Sequence, residues 1–158
     1  MILRLLLAVI LAGALVAASM PMIETAQRAQ VEGDLELAIE DIEAATGDLR
    51  RHSDPVPLGV PSARRTVSIT IPPQASDAGL TIGPSSDSST TTETRLLGTA
   101  KGKLAKETVL ETPLRPIGPD GSVAWNDSVT LRDSADLTLR YRTVGGRDVI
   151  TVARVQVR

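Results

Sequence analysis

One histidine (His52), one asparagine (Asn126) and no cysteine limit the chemistry open to these 158 residues. Without cysteine there is no disulfide framework, thiol nucleophile or thiolate metal site. A lone histidine excludes a histidine metal cluster, and a Ser-His-Asp triad would have to use a residue at the edge of a Pro-rich stretch. His52 therefore reads as polarity at a helix end. Gly98-Thr-Ala-Lys-Gly-Lys103 resembles a phosphate loop only superficially. It has three residues between its glycines where such loops have four, and Leu104 follows the lysine in place of Ser or Thr. The expectation is a solvated basic loop whose Lys101, Lys103 and Lys106 offer contact to an acidic surface. Asp133 and Asp136 bracket one turn and Asp120 sits in another, which is the pattern of backbone caps more than of calcium ligands. No Gly-x-Ser-x-Gly elbow occurs. These residues point to a non-enzymatic protein without a cofactor or metal.

Asn126-Asp-Ser128 is an N-glycosylation sequon, which makes Asn126 a modification candidate if the domain is exported. Trp125, the only tryptophan, is expected in the core. With a single Tyr and no Phe, that core must be built from Val, Leu, Ile and Ala. The net charge of −2 and the balance of 14 Arg against 3 Lys give no nucleic-acid footprint. Charge is nevertheless sorted along the chain. Residues 24–51 hold eight acids against three Arg, and residues 132–158 hold six Arg against three Asp.

Residues 5–23 carry no charge and as a helix would extend about 28 Å, close to a bilayer core. Residues 1–23 therefore read as a transmembrane anchor. The competing reading is a cleaved signal peptide, with Arg4 as n-region, residues 5–16 as h-region and a small-residue site near Ala17, Ala18 and Ser19. Both readings place the remainder of the chain outside the cytoplasm, because Arg4 precedes the run and Glu24, Glu32, Asp34 and Glu36 come after it.

The supporting elements can be read from periodicity. Val31, Leu35, Ala38, Ile42, Ala45 and Leu49 recur at alternating spacings of four and three, an apolar stripe on an amphipathic stem helix over 24–51. The stripe would pack on a partner helix or on the domain's own sheet. Arg50 and Arg51 suit the negative helix end, and Pro55, Pro57 and Pro61 make 52–65 a linker. From residue 66 the period becomes two. Strands are expected over 66–71, 80–82, 95–97, 108–110 and 128–131, with a polar tip over 85–92 and a turn over 118–121. The strongest unit is a hairpin, 137–144 and 148–155 around Gly145-Gly-Arg147, with Leu137, Leu139 and Tyr141 on one face and Arg140 and Arg142 on the other. The fold class expected is α+β: an N-terminal transmembrane helix continuing into an amphipathic stem helix, followed by a small antiparallel β domain over 66–158.

The apolar N-terminal helix, its acidic amphipathic continuation and an all-β head resemble a type IV pilin-like protein. Over residues 1–72 the Arg-rich, cysteine-free text, including Arg50-Arg-His-Ser-Asp-Pro-Val-Pro-Leu-Gly-Val-Pro-Ser-Ala-Arg-Arg65, resembles an uncharacterised haloarchaeal family associated with pilus or secretion components. The resemblance implies a membrane-anchored structural or accessory protein at the cell membrane, with its β domain outside the cytoplasm. The membrane and other pilin-like or secretion-assembly subunits would be its partners. Only Arg4 precedes the apolar run, where a processed pilin carries a longer basic leader, so an accessory role fits better than a major filament subunit. The alternative is a secreted or anchored binding module for an acidic ligand.

Overall fold

A computed structural model of the chain describes residues 2–72, 77–85, 93–118 and 120–155, the side chains of 2–5 and 16–24 excepted. The element order is helix α1 (Ile2–His52), then β1 (Val56–Pro57), β2 (Arg64–Ile69), β3 (Gly79–Pro84), β4 (Thr94–Ala100), β5 (Lys103–Leu110), β6 (Leu114–Pro116), β7 (Val129–Leu131), β8 (Ala135–Val144) and β9 (Arg147–Arg154). The chain divides into two compact units, Met1–Gln30 and Val31–Arg158. In the first, every side chain over residues 6–15 is exposed, Leu6, Leu7, Val9, Ile10, Leu11 and Leu15 among them.

The second unit is two β-sheets and the helical residues from Val31 onward around one aliphatic core. The first sheet runs β1-β8-β9-β6, with β2 also paired to β8. It is mixed, because β1 lies parallel to β8 and β6 parallel to β9, while β2–β8 and β8–β9 are antiparallel. The second sheet is antiparallel in the order β5-β4-β3-β7. Each sheet turns its aliphatic alternation inward: Val67, Ile69, Leu137, Leu139, Ile150 and Val152 from the first, Leu80, Ile82, Leu96 and Leu131 from the second. On α1, Leu35, Ile39, Ile42 and Leu49 are at most 1% exposed. Helix and second sheet approach closely at Gly98, where an added Cβ would stand 3.4 Å from the Leu35 Cβ and 3.5 Å from the Ile39 Cδ1.

This corrects the expected fold class. Among the described residues no helix is long and apolar enough to cross a membrane. Nor is the amphipathic segment a free stem, because Val31, Leu35, Ala38, Ile42 and Leu49 belong to the core cluster of the second unit and Ala45 packs against it. The β portion is not one small antiparallel sheet. The fold is mostly β, with two sheets of which one is mixed. The physical reason is that an amphipathic helix must bury its apolar stripe against another element, and here the chain's own sheets supply it.

Strand periodicity places β2, β3, β4, β7 and the β8–β9 hairpin close to their expected positions; β5 begins at Lys103, ahead of the expected 108–110 and within the segment expected as a basic loop, and β1 and β6 are not among the expected strands. Both are short parallel strands, and β1 lies within the proline stretch 52–65. The hairpin turn at Gly145-Gly146 places both residues at positive φ, 60° and 76°, as a two-residue type I′ turn requires. Residues 86–92 of the expected polar tip and Pro119 of the expected turn lie outside the described residues.

Ile42 is fully buried on the helix face turned to the core, whereas Leu37 is 60% exposed. Ile42→Ala is therefore expected to cost about 2–5 kcal/mol of unfolding free energy by denaturant titration, and Leu37→Ala less than about 0.5 kcal/mol. Equal effects at the two positions would contradict the helix orientation.

Candidate functional site

Asn126 is exposed in the connection that leads into β7. It lines a shallow groove of about 260 Å³ on the outer face of the second sheet, together with Thr81, Gly83, Arg95, Leu97 and Ser128. The groove's floor depends on Gly83, where an added Cβ would fall 2.8 Å from the Ser128 Cβ. The sequon is thus sterically open at its asparagine. Trp125 is not in the hydrophobic core cluster; it is half-buried, with the Arg147 guanidinium 5.9 Å from its ring centroid.

Lys101 and Gly102 form the two-residue turn between β4 and β5, at φ 50° and 70°. The segment with a faint likeness to a phosphate loop is a hairpin, with Lys101 and Lys103 exposed on it. Lys106 is separated from them: its Nζ donates to the Glu36 carboxylate of α1 at 2.5 Å. That carboxylate first, aided by the charges of Glu40 and Glu43, holds the Lys106 pKa above its ordinary value. The three lysines therefore do not form one site.

His52 stands beside Asp48, with Nδ1 2.8 Å from Oδ1, and is exposed at the end of α1. The Asp48 carboxylate also accepts from Arg65 Nε of β2 at 2.6 Å, and this bond is the main cause that lowers its pKa. Together with Arg50 Nη1, which donates to Thr112 Oγ1 at 2.8 Å, these contacts tie the helix end to β2 and to the connection between β5 and β6. Asp120 caps its own turn by accepting from the Ser122 N–H and hydroxyl, and Asp136 accepts from Ser68 Oγ at 2.7 Å. Among the described residues no group of three or more His, Cys, Asp or Glu could hold a metal ion.

The structure assembles a different constellation on the outer face of the mixed sheet. Arg64 of β2 is the register partner of Arg140 on β8, and Arg142 projects on the same side two residues further along. Arg142 is 7% exposed. Its Nη1 donates to the Pro57 carbonyl at 2.9 Å and to the Val60 carbonyl, fixing a turn with Gly59 at φ 88° that leaves Leu58 and Val60 exposed. Burial first, and then the charge of Arg140, lower the Arg142 pKa. Neither Arg64 nor Arg140 has an ion-pair partner among the described residues. Like charges directly opposed across strands are destabilising, so this face carries a standing electrostatic cost. Alternation in the hairpin places Arg140 and Arg142 on one face, but Arg64 lies 76 residues from Arg140 in sequence, and nothing local signals that they pair.

Because the Asp48 carboxylate is held below its ordinary value near 3.8, its contribution to stability is complete above that pH and is lost as pH falls through the lower folded value. Asp48→Asn is expected to flatten the stability-against-pH curve below about pH 4 and leave its slope above pH 5 unchanged, as read by urea titrations at stepped pH. An unchanged acid limb would mean that the Arg65 contact is not formed in solution.

No curated protein and no solved structure matches the chain. A family model does match it over residues 2–155, nearly its whole length, and the chain accordingly belongs to the family described as Domain of unknown function (DUF7311).

Proposed function

We propose that this protein is a non-enzymatic, membrane-associated structural or accessory protein whose β domain works outside the cytoplasm, in the manner of subunits that serve pilus or secretion assemblies. The observation that carries the reading is the uniformly exposed apolar surface of residues 6–15. A helix that is apolar all round requires an apolar environment, and the core of the second unit closes without these side chains. A lipid surface is one such environment. The charge order around the segment, Arg4 before it and Glu24, Glu32, Asp34 and Glu36 after it, favours delivery of the β domain away from the cytoplasm. Exposed Asn126 would then meet a glycosylation machinery on that side.

The second reading, a binding module released after signal cleavage, is favoured by one separate observation, the arginine face of the mixed sheet. Fractionation separates the two. On the membrane-associated reading the native protein sediments with membranes, its N-terminal peptide begins at Met1 or Ile2, and a cysteine at position 126 is labelled from outside the cell. A soluble species beginning near Ser19 or Met20 would establish cleavage, and labelling at 126 from the cytoplasmic side alone would overturn the extracytoplasmic placement.

A further inference from the structure

The second unit holds two surfaces of opposite net charge. On α1 the side turned from the core exposes Glu36, Glu40, Asp41 and Glu43 around Leu37, itself 60% exposed. Glu36 and Glu40 stand at i and i+4, where like charges repel on a helix. Lys106 is the cation held beside this group. On the mixed sheet, Arg64 and Arg140 oppose each other without an ion-pair partner among the described residues, flanked by the turn that Arg142 holds with Leu58 and Val60 exposed at 41% and 43%. Each surface combines an excess of one sign of charge with an exposed aliphatic side chain, and like charges at these spacings are unfavourable.

We propose that the acidic face of α1 in one copy of this chain docks on the arginine face of the mixed sheet in a second copy, a head-to-tail contact between identical chains. Charge complementarity selects this occupant. A guanidinium pairs a carboxylate in bidentate fashion, the helix offers Glu40 and Glu43 beside the Glu36 carboxylate that Lys106 holds, and Leu37 meets the aliphatic turn at Leu58 and Val60. The contact removes both repulsions at once, those among the glutamates and that between Arg64 and Arg140. Where each copy gives its helix to one neighbour and its sheet to another, the contact is heterologous and propagates into a ring or an open row. The contact uses only residues of the second unit and holds whether or not residues 6–15 enter lipid.

The chain has no cysteine, so Asp133→Cys gives a unique labelling position on the full-length protein, held in a non-ionic detergent that covers residues 6–15. Donor- and acceptor-labelled copies should show energy transfer that weakens by about tenfold or more in apparent affinity as salt rises from 50 to 500 mM. Arg64→Glu with Arg140→Glu should abolish it, as should Glu40→Lys with Glu43→Lys. Mixing the two double variants should restore it, because each then meets an oppositely charged face. Circular dichroism confirms that both remain folded. No energy transfer in the native protein, or failure of the mixed variants to associate, overturns the proposal. So does a result in which Arg64→Glu with Arg140→Glu keeps self-association but loses binding to vesicles of anionic phospholipid, which would assign the face to a membrane surface.

Discussion

The two sheets are joined at a buried polar knot that the rest of the β domain depends on. The Thr94 hydroxyl of β4 is reached by the Leu114 N–H at 2.6 Å and by Arg115 Nη1 at 2.9 Å, both from β6 in the other sheet. The Arg115 guanidinium also donates to the Leu114 and Glu93 carbonyls, and its residue is fully buried. A buried charge is costly unless it is hydrogen-bonded, so β6 lies where Thr94 and these carbonyls converge on the Arg115 Nη1 and Nη2. That position in turn sets β6 parallel to β9, with Leu114 opposite Ile150. Burial lowers the Arg115 pKa, and the oriented backbone carbonyls offset that cost by accepting from the guanidinium.

A core without aromatic side chains imposes a second constraint. Val, Leu, Ile and Ala each bury less area than Phe or Trp, so many positions from all parts of the chain must converge. This is why the helix is an integral layer: Leu35, Ile39, Ile42 and Leu49 fill space that neither sheet supplies. Gly98 permits the approach, since a side chain there would crowd Leu35 and Ile39. The helix end is then secured by Asp48 with Arg65 and by Arg50 with Thr112.

The sorting of charge is a result of these constraints and bears on function. Once the apolar stripe of α1 is committed to the core, its carboxylates are left on the outer side; once Leu137 and Leu139 face inward, Arg140 must face outward. Two oppositely charged outer surfaces result without any residue having moved from its periodic position. This arrangement is better suited to contact between macromolecules than to chemistry on a small molecule, and it supports the proposed structural or accessory role.

Much of this architecture is legible in local pattern. The β8–β9 hairpin is readable because two alternating runs flank Gly145-Gly146, whose positive φ few other residues adopt. The stripe of α1 is readable because its residues recur at helical spacing, although Ile39, which the core also buries, falls outside the four-three repeat between Ala38 and Ile42. Local pattern also determines the apolar N-terminal run and the opposite charge of helix and hairpin. It does not reveal β1 or β6, because two- and three-residue parallel strands have no period of their own and exist only by pairing with β8 and β9. Nor does it show that the stripe belongs to the chain's own core, that Arg115 is buried, or that Arg64 faces Arg140. These are long-range pairings. Side-chain alternation fixes which face a residue occupies, and only closure of the common core decides which distant strand lies beside it.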